Sequence, residues 1–176
     1  MDPWSFDNKE MLCVSDALEI AEETTGNFFK FSFGQWKRHR YDIRTLTHLD
    51  ELQIVRGAFA SVEKGSRKAG DLGFRTARDC YFICLQDQHI LEALDRDKNL
   101  GLIPLLVYVF THELVHIVRF CNFSQRFELS DMKEREKEEG IVHAVTYEIL
   151  KNLTFHKLDY ILQSYENKRV CNYALC

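Results

Sequence analysis

The chain has 176 residues, the size of a single domain built round one sizeable core. Apolar residues make up 45% and charged residues 28%, with only 2 Pro and 8 Gly, a profile that excludes disorder or a collagen-like repeat for most of its length. Lys and Arg total 23 against 27 Asp and Glu, and the net charge of -4 provides no global attraction to nucleic acid or to anionic lipid.

The opening MDPWSFDNKEMLCV carries acids before its first base and lacks the apolar stretch of a secretory signal. The longest uncharged apolar run, Gly101 to Thr111, is about half the roughly 20 residues that a membrane-spanning helix needs. Neither a membrane nor a nucleic acid is expected as a partner, and a cytoplasmic location is. The 6 cysteines are scattered without a CxxC pair, so free thiols are expected.

In chain order, Ser15 to Thr24 begins with a capping residue, places apolar side chains at helical intervals and is followed by Gly26, which predicts a first helix. Phe28 to Phe33 and Tyr41 to Leu46 alternate with a period of two, the pattern of short half-buried strands. Leu49 to Glu63 has helical spacing, and the turn-rich KGSRKAGDLG that follows reads as a loop. Cys80 to Leu85 (CYFICL) reads as a core strand and Gln88 to Leu94 as a short helix. Leu102 to Phe120 is the central, mostly buried helix, with Pro104 in its first turn. A last helix opens at Ser130, where Asp131 and Glu134 suggest a capping box, and runs to about Leu153 before a polar C-terminal region.

Inside the central helix stands His112-Glu113-Leu114-Val115-His116, an H-E-x-x-H motif. On a helix the two imidazoles at i and i+4 project from one face and can share a metal ion, with the glutamate between them beside the metal's open position. Such a site takes three protein ligands, so a third must come from elsewhere. The last helix offers Glu138, Glu139 and His143, which abut the apolar stretch IVHAVTYEIL, whereas Lys133 to Lys137 reads as a solvated face. On a helical wheel Glu138 falls near the side of Val142, Val145 and Ile149, and Glu139 shares a side with His143. Periodicity favours Glu138, with Glu139 and His143 as the other candidates. His39 belongs to the basic patch KRHRYDIR, which reads as solvated surface, and His48, His89 and His156 have no partner at ligand spacing, so structural roles are expected for all four.

From Cys80 to Leu153 the chain resembles the gluzincin group of zinc metallopeptidases and their small relatives. The resemblance rests on H-E-x-x-H followed by Glu139-Gly-Ile-Val-His143, where the relatives have a zinc-binding Glu with Asp or Asn at i+4. It implies Glu139 as third ligand and His143 as its neighbour or as an alternative ligand. It also implies one zinc per chain and a peptide or protein substrate. The implied fold is α+β and zincin-like: one domain over 1–176, with a small sheet on the active-site helix and a following helix carrying the third ligand. The strand Cys80 to Gln86 is expected at the edge of the cleft, where substrate backbone pairs with it. In the implied reaction Glu113 is the general base for metal-activated water, and Tyr147 is a candidate oxyanion donor. One rival is a zincin-fold regulator that binds zinc and a protein partner without turnover. A diiron carboxylate protein would need a second E-x-x-H, which the chain lacks.

Overall fold

The computed structural model describes residues 4–32, 40–67, 78–122 and 131–168. It is an α+β fold: among the described residues, five α-helices surround or flank a three-stranded sheet.

Helix α1 (Asn8–Phe28) starts seven residues before the expected Ser15. Asp7 is the cap: its carboxylate accepts from the backbone N–H groups of Lys9 and Glu10, and the Glu10 side chain accepts from Asp7 N–H. This reciprocal arrangement satisfies otherwise orphaned donors, so a better cap upstream displaces Ser15. Gly26 lies buried inside the helix; the turn that ends it comes at Lys30, with φ of 55°. The expected strand at Phe28 is therefore a helix end up to Phe28 and irregular through Ser32, with Phe33 outside the described residues. Val14, Ala17 and Ala21 form the inward stripe of α1. Their small side chains let its backbone come close to the central helix.

Strand β1 (Tyr41–Arg44) keeps most of the expected Tyr41 to Leu46 strand, which stops where Leu46–His48 turns as a 3-10 helix. The helix expected over Leu49 to Glu63 does not form. A single 3-10 turn at Glu51–Gln53 is followed by irregular chain with Gly57 at φ of 81°, and then by β2 (Ala60–Arg67). Ala60 and Val62 face the core and Ser61 and Glu63 the other side, a period of two that outweighs the helical spacing. Lys64–Arg67, expected in a loop, continue this strand, and 68–73 lie outside the described residues.

Strand β3 (Arg78–Leu85) contains the expected core strand but not at an edge. The sheet order is β1-β3-β2, with β3 parallel to β1 (Tyr41 opposite Tyr81) and antiparallel to β2 (Ala60 opposite Leu85). The expectation that Cys80 to Gln86 borders the cleft is thus corrected: both backbone edges of β3 are engaged. Its continuous apolar run is the reason, since successive residues Ile83, Cys84 and Leu85 are wholly buried and need cover on both faces. Among the described residues the open edge nearest the cleft belongs to β2.

Helix α2 (Asp87–Arg96) follows at once. Buried Asp87 accepts from Phe6 N–H and from Leu46 N–H, both at 3.2 Å, tying the N-terminal segment to the end of β1. Desolvation raises the pKa of its carboxyl although those backbone hydrogen bonds oppose the shift. The folded pKa exceeds the unfolded one, so Asp87 favours the fold most at acidic pH, and that contribution shrinks as pH rises through the raised value. Asp87→Ala strands two backbone donors and should cost about 1–3 kcal/mol in urea unfolding. The deficit relative to wild type should be larger near pH 4 than at pH 7; a deficit that grows with pH would refute the assigned sign.

Helix α3 (Leu102–Cys121) is the centre of the molecule, buried almost without break from Pro104 to Val118. By length and composition it could cross a membrane, but 83% of its most apolar 18-residue window is covered by the rest of the chain, as in a core helix. Phe110, Leu106 and Leu114 join Ile83 and Leu85 of the sheet and Ile90 of α2 in the main core. Helix α4 (Met132–Leu150), capped by the Asp131 side chain at Lys133 N–H, packs along α3 and ends three residues before the expected Leu153. Helix α5 (Leu158–Ser164), absent from the sequence expectation, closes the core with Leu158, Ile161 and Leu162.

Candidate metal centre

Two helical stripes face each other across a cleft of about 870 Å3. On α3 they are Tyr108, His112, His116 and Phe120, and on α4 Arg135, Glu139 and His143, each series advancing by one turn so that its members share a face. The third wall is the irregular segment from Val55 together with the start of β2, and Tyr165 after α5 closes one end.

The structure brings His112, His116 and Glu139 together: one ligand atom from each lies within 4.8 Å of the others, and such a group could hold a metal ion. His112 Nε2 is 3.3 Å from one carboxylate oxygen of Glu139, and His116 Nε2 is 3.3 Å from the other. With zinc–nitrogen and zinc–oxygen bonds of about 2.0–2.1 Å, the edge of a tetrahedron is roughly 3.4 Å, and each of these nitrogen–oxygen separations is close to that of two ligands on one ion. The donor set of two imidazoles and a carboxylate also suits a borderline divalent metal. His112 Nδ1 is buried with no hydrogen-bond partner, which leaves the ring's outward nitrogen as its working atom. Both histidines are buried, whereas the Glu139 side chain is 52% exposed on the cleft side. Desolvation works against ionisation of Glu139, but hydrogen bonds from His112 and His116 outweigh it and hold the carboxyl well below the usual carboxylate range.

Glu113 lines the same cleft and is 8% exposed. Burial pushes its pKa up, the two histidines pull it down, and Glu139 pushes it up again. Glu138 is placed differently: it is buried, as the helical wheel indicated, but its carboxylate pairs with Arg119 of α3 rather than with the histidines. The wheel therefore read burial correctly and said nothing about aim. His143 lies beside His112, with ring centroids 4.5 Å apart, but stands outside the gathered triad, and its Nδ1 is 2.7 Å from the Tyr108 hydroxyl. That hydrogen bond joins α3 and α4 one turn from the triad.

Tyr147, the expected oxyanion donor, packs against the main core; the tyrosines lining the cleft are Tyr108 and Tyr165, stacked on each other at 4.7 Å. Tyr108 was detectable, four residues before His112 on the same helix. Tyr165 carried no such signal. His48 lies against the Thr45 and Thr47 hydroxyls, His89 reaches Ala58 O, His156 is exposed, and His39 lies outside the described residues. Cys13, Cys80, Cys84 and Cys121 are free thiols. Comparison of the chain with protein-family models, with curated proteins and with solved structures finds no match.

Proposed function

We propose that the chain is a zinc-dependent peptidase with a zincin-like site in which His112, His116 and Glu139 hold the metal and Glu113 is the general base. The observation that carries this reading is the meeting of both Nε2 atoms with one carboxylate, in the same cleft as the buried Glu113. A bound zinc supplies a Lewis acid for the scissile carbonyl and makes a nearby water acidic at about pH 7. Glu113 takes the proton of that water and passes it to the leaving amine. Val109 and Phe120 give the cleft apolar surface, and Tyr108 and Tyr165 offer aromatic surface to a substrate side chain. The open edge of β2 presents backbone donors and acceptors to an extended peptide, the role expected of the strand Cys80 to Gln86.

The test is hydrolysis of a broad peptide library with products read by mass spectrometry. Cleavage should vanish after chelation and return with added zinc. A fully zinc-loaded protein that cleaves neither library peptides nor candidate protein partners would instead favour the regulatory zincin.

A further inference from the structure

We propose that Gln86 is a positioning residue for this cleft: its buried carboxamide holds the wall formed by residues 53–59, so that a peptide meets a preset edge beside the triad. The inference rests on the peptidase reading and names a residue that serves it away from the metal.

Packing holds the wall at one end, where Phe59 lies against the main core, and little of the rest. Ile54 is 49% exposed, and the tip at Gly57 has open space where a Cβ would stand. It contains neither helix nor strand between Ile54 and Phe59, so its backbone polar groups need partners from outside. Gln86 and His89 provide them from the junction of β3 and α2. The Gln86 Nε2 donates to Gln53 O at 2.9 Å and to Cys84 O at 3.3 Å, while its Oε1 accepts from Val55 N–H at 3.1 Å. Its backbone N–H donates to Phe59 O at 2.8 Å, and His89 Nδ1 donates to Ala58 O at 2.8 Å.

Bonding to the carbonyl of one residue and the N–H two positions later is what the N–H and C=O of one residue in a neighbouring parallel strand do. The Gln86 side chain therefore stands in for a missing strand opposite Ile54. Among common side chains a carboxamide of this length supplies both functions: glutamate cannot donate, lysine cannot accept, and asparagine is one methylene shorter. At 3% exposure Gln86 makes these bonds away from competing water. Val55, Gly57, Ala58 and Phe59 line the cleft, and the wall runs directly into β2, so its placement sets where the open edge begins. Loosening it removes binding common to substrate and transition state and leaves the triad and Glu113 in place.

The experiment compares wild type, Gln86→Ala and Gln86→Met for zinc content, for kcat and KM on the best library peptide, for the product set, and for amide exchange at Val55. Gln86→Ala should keep one zinc per chain and a kcat within about two-fold, raise KM about ten-fold and broaden the product set. Val55 N–H should exchange faster while amides of β3 and α3 stay protected. Gln86→Met keeps the length of the side chain and removes both polar functions, so its KM should rise as in Gln86→Ala; it carries the test if Gln86→Ala does not fold. Wild-type KM and product set in the folded variants would overturn the assignment of Gln86. A zinc-loaded wild type that cleaves nothing would overturn the peptidase reading instead, and Val55 exchange would still report whether the clamp exists.

Discussion

His112→Ala and His116→Ala should each abolish stoichiometric zinc binding while leaving the helical circular dichroism of the chain in place. Each removes one nitrogen from a group whose ligand atoms already lie within 4.8 Å of one another, and a two-donor remnant does not complete a site. The loss of a supporting group typically costs 10 to 100-fold in metal affinity, so loss of a ligand should exceed about 100-fold. Glu139→Ala should fall in the same class. Glu138→Ala should not, because its carboxylate serves Arg119, and breaking that pair should appear as lowered stability with little change in zinc affinity. His143→Ala should give the intermediate effect of a supporting group, through its place between Tyr108 and His112. Elemental analysis and competition with a chromophoric chelator decide the order. Full zinc retained in both histidine variants would remove the site, and a largest loss in His143→Ala would replace Glu139 with a third histidine.

What was legible in the sequence follows from the range of the interactions involved. The H-E-x-x-H pair and its helix are local: periodicity alone sets both imidazoles on one face, and the apolar run round them marks the helix as central. The choice between Glu138 and Glu139 was not local, because both lie on the cleft side of α4. What separates them is Arg119, nineteen residues from Glu138, a distance that no helical wheel contains. The α+β class was readable from CYFICL followed by helical patterns, but strand order was not. The central place of β3 depends on β2, hidden because Leu49 to Glu63 carries apolar residues at helical intervals. Tertiary bonds resolve that ambiguity: Gln86 bonds to Gln53 O and Val55 N–H on either side of extended Ile54, and pairing with β3 then selects the strand. Tyr165 reaches the cleft only because α5 folds back on α3, a contact between remote segments.

Glu113→Gln should keep the zinc and the fold and lose the hydrolysis. The side chain is nearly isosteric, and desolvation already disfavours the charged form of Glu113, so a neutral amide at this 8% exposed position should leave the melting temperature unchanged or raise it. Glutamine cannot accept the proton of the attacking water at neutral pH. General-base catalysis contributes about 10²–10⁴-fold, and kcat should fall by that much while peptide binding, measured on the zinc-loaded variant, changes little. Zinc content must be measured on the same sample, because a variant that has lost its metal would be inactive for the wrong reason. Hydrolysis at the wild-type rate with zinc in place would remove Glu113 from the reaction and leave the metal centre without a base. A wild type and a variant that are both inert, both zinc-loaded and identical in partner binding would assign the same three ligands to a structural or regulatory metal.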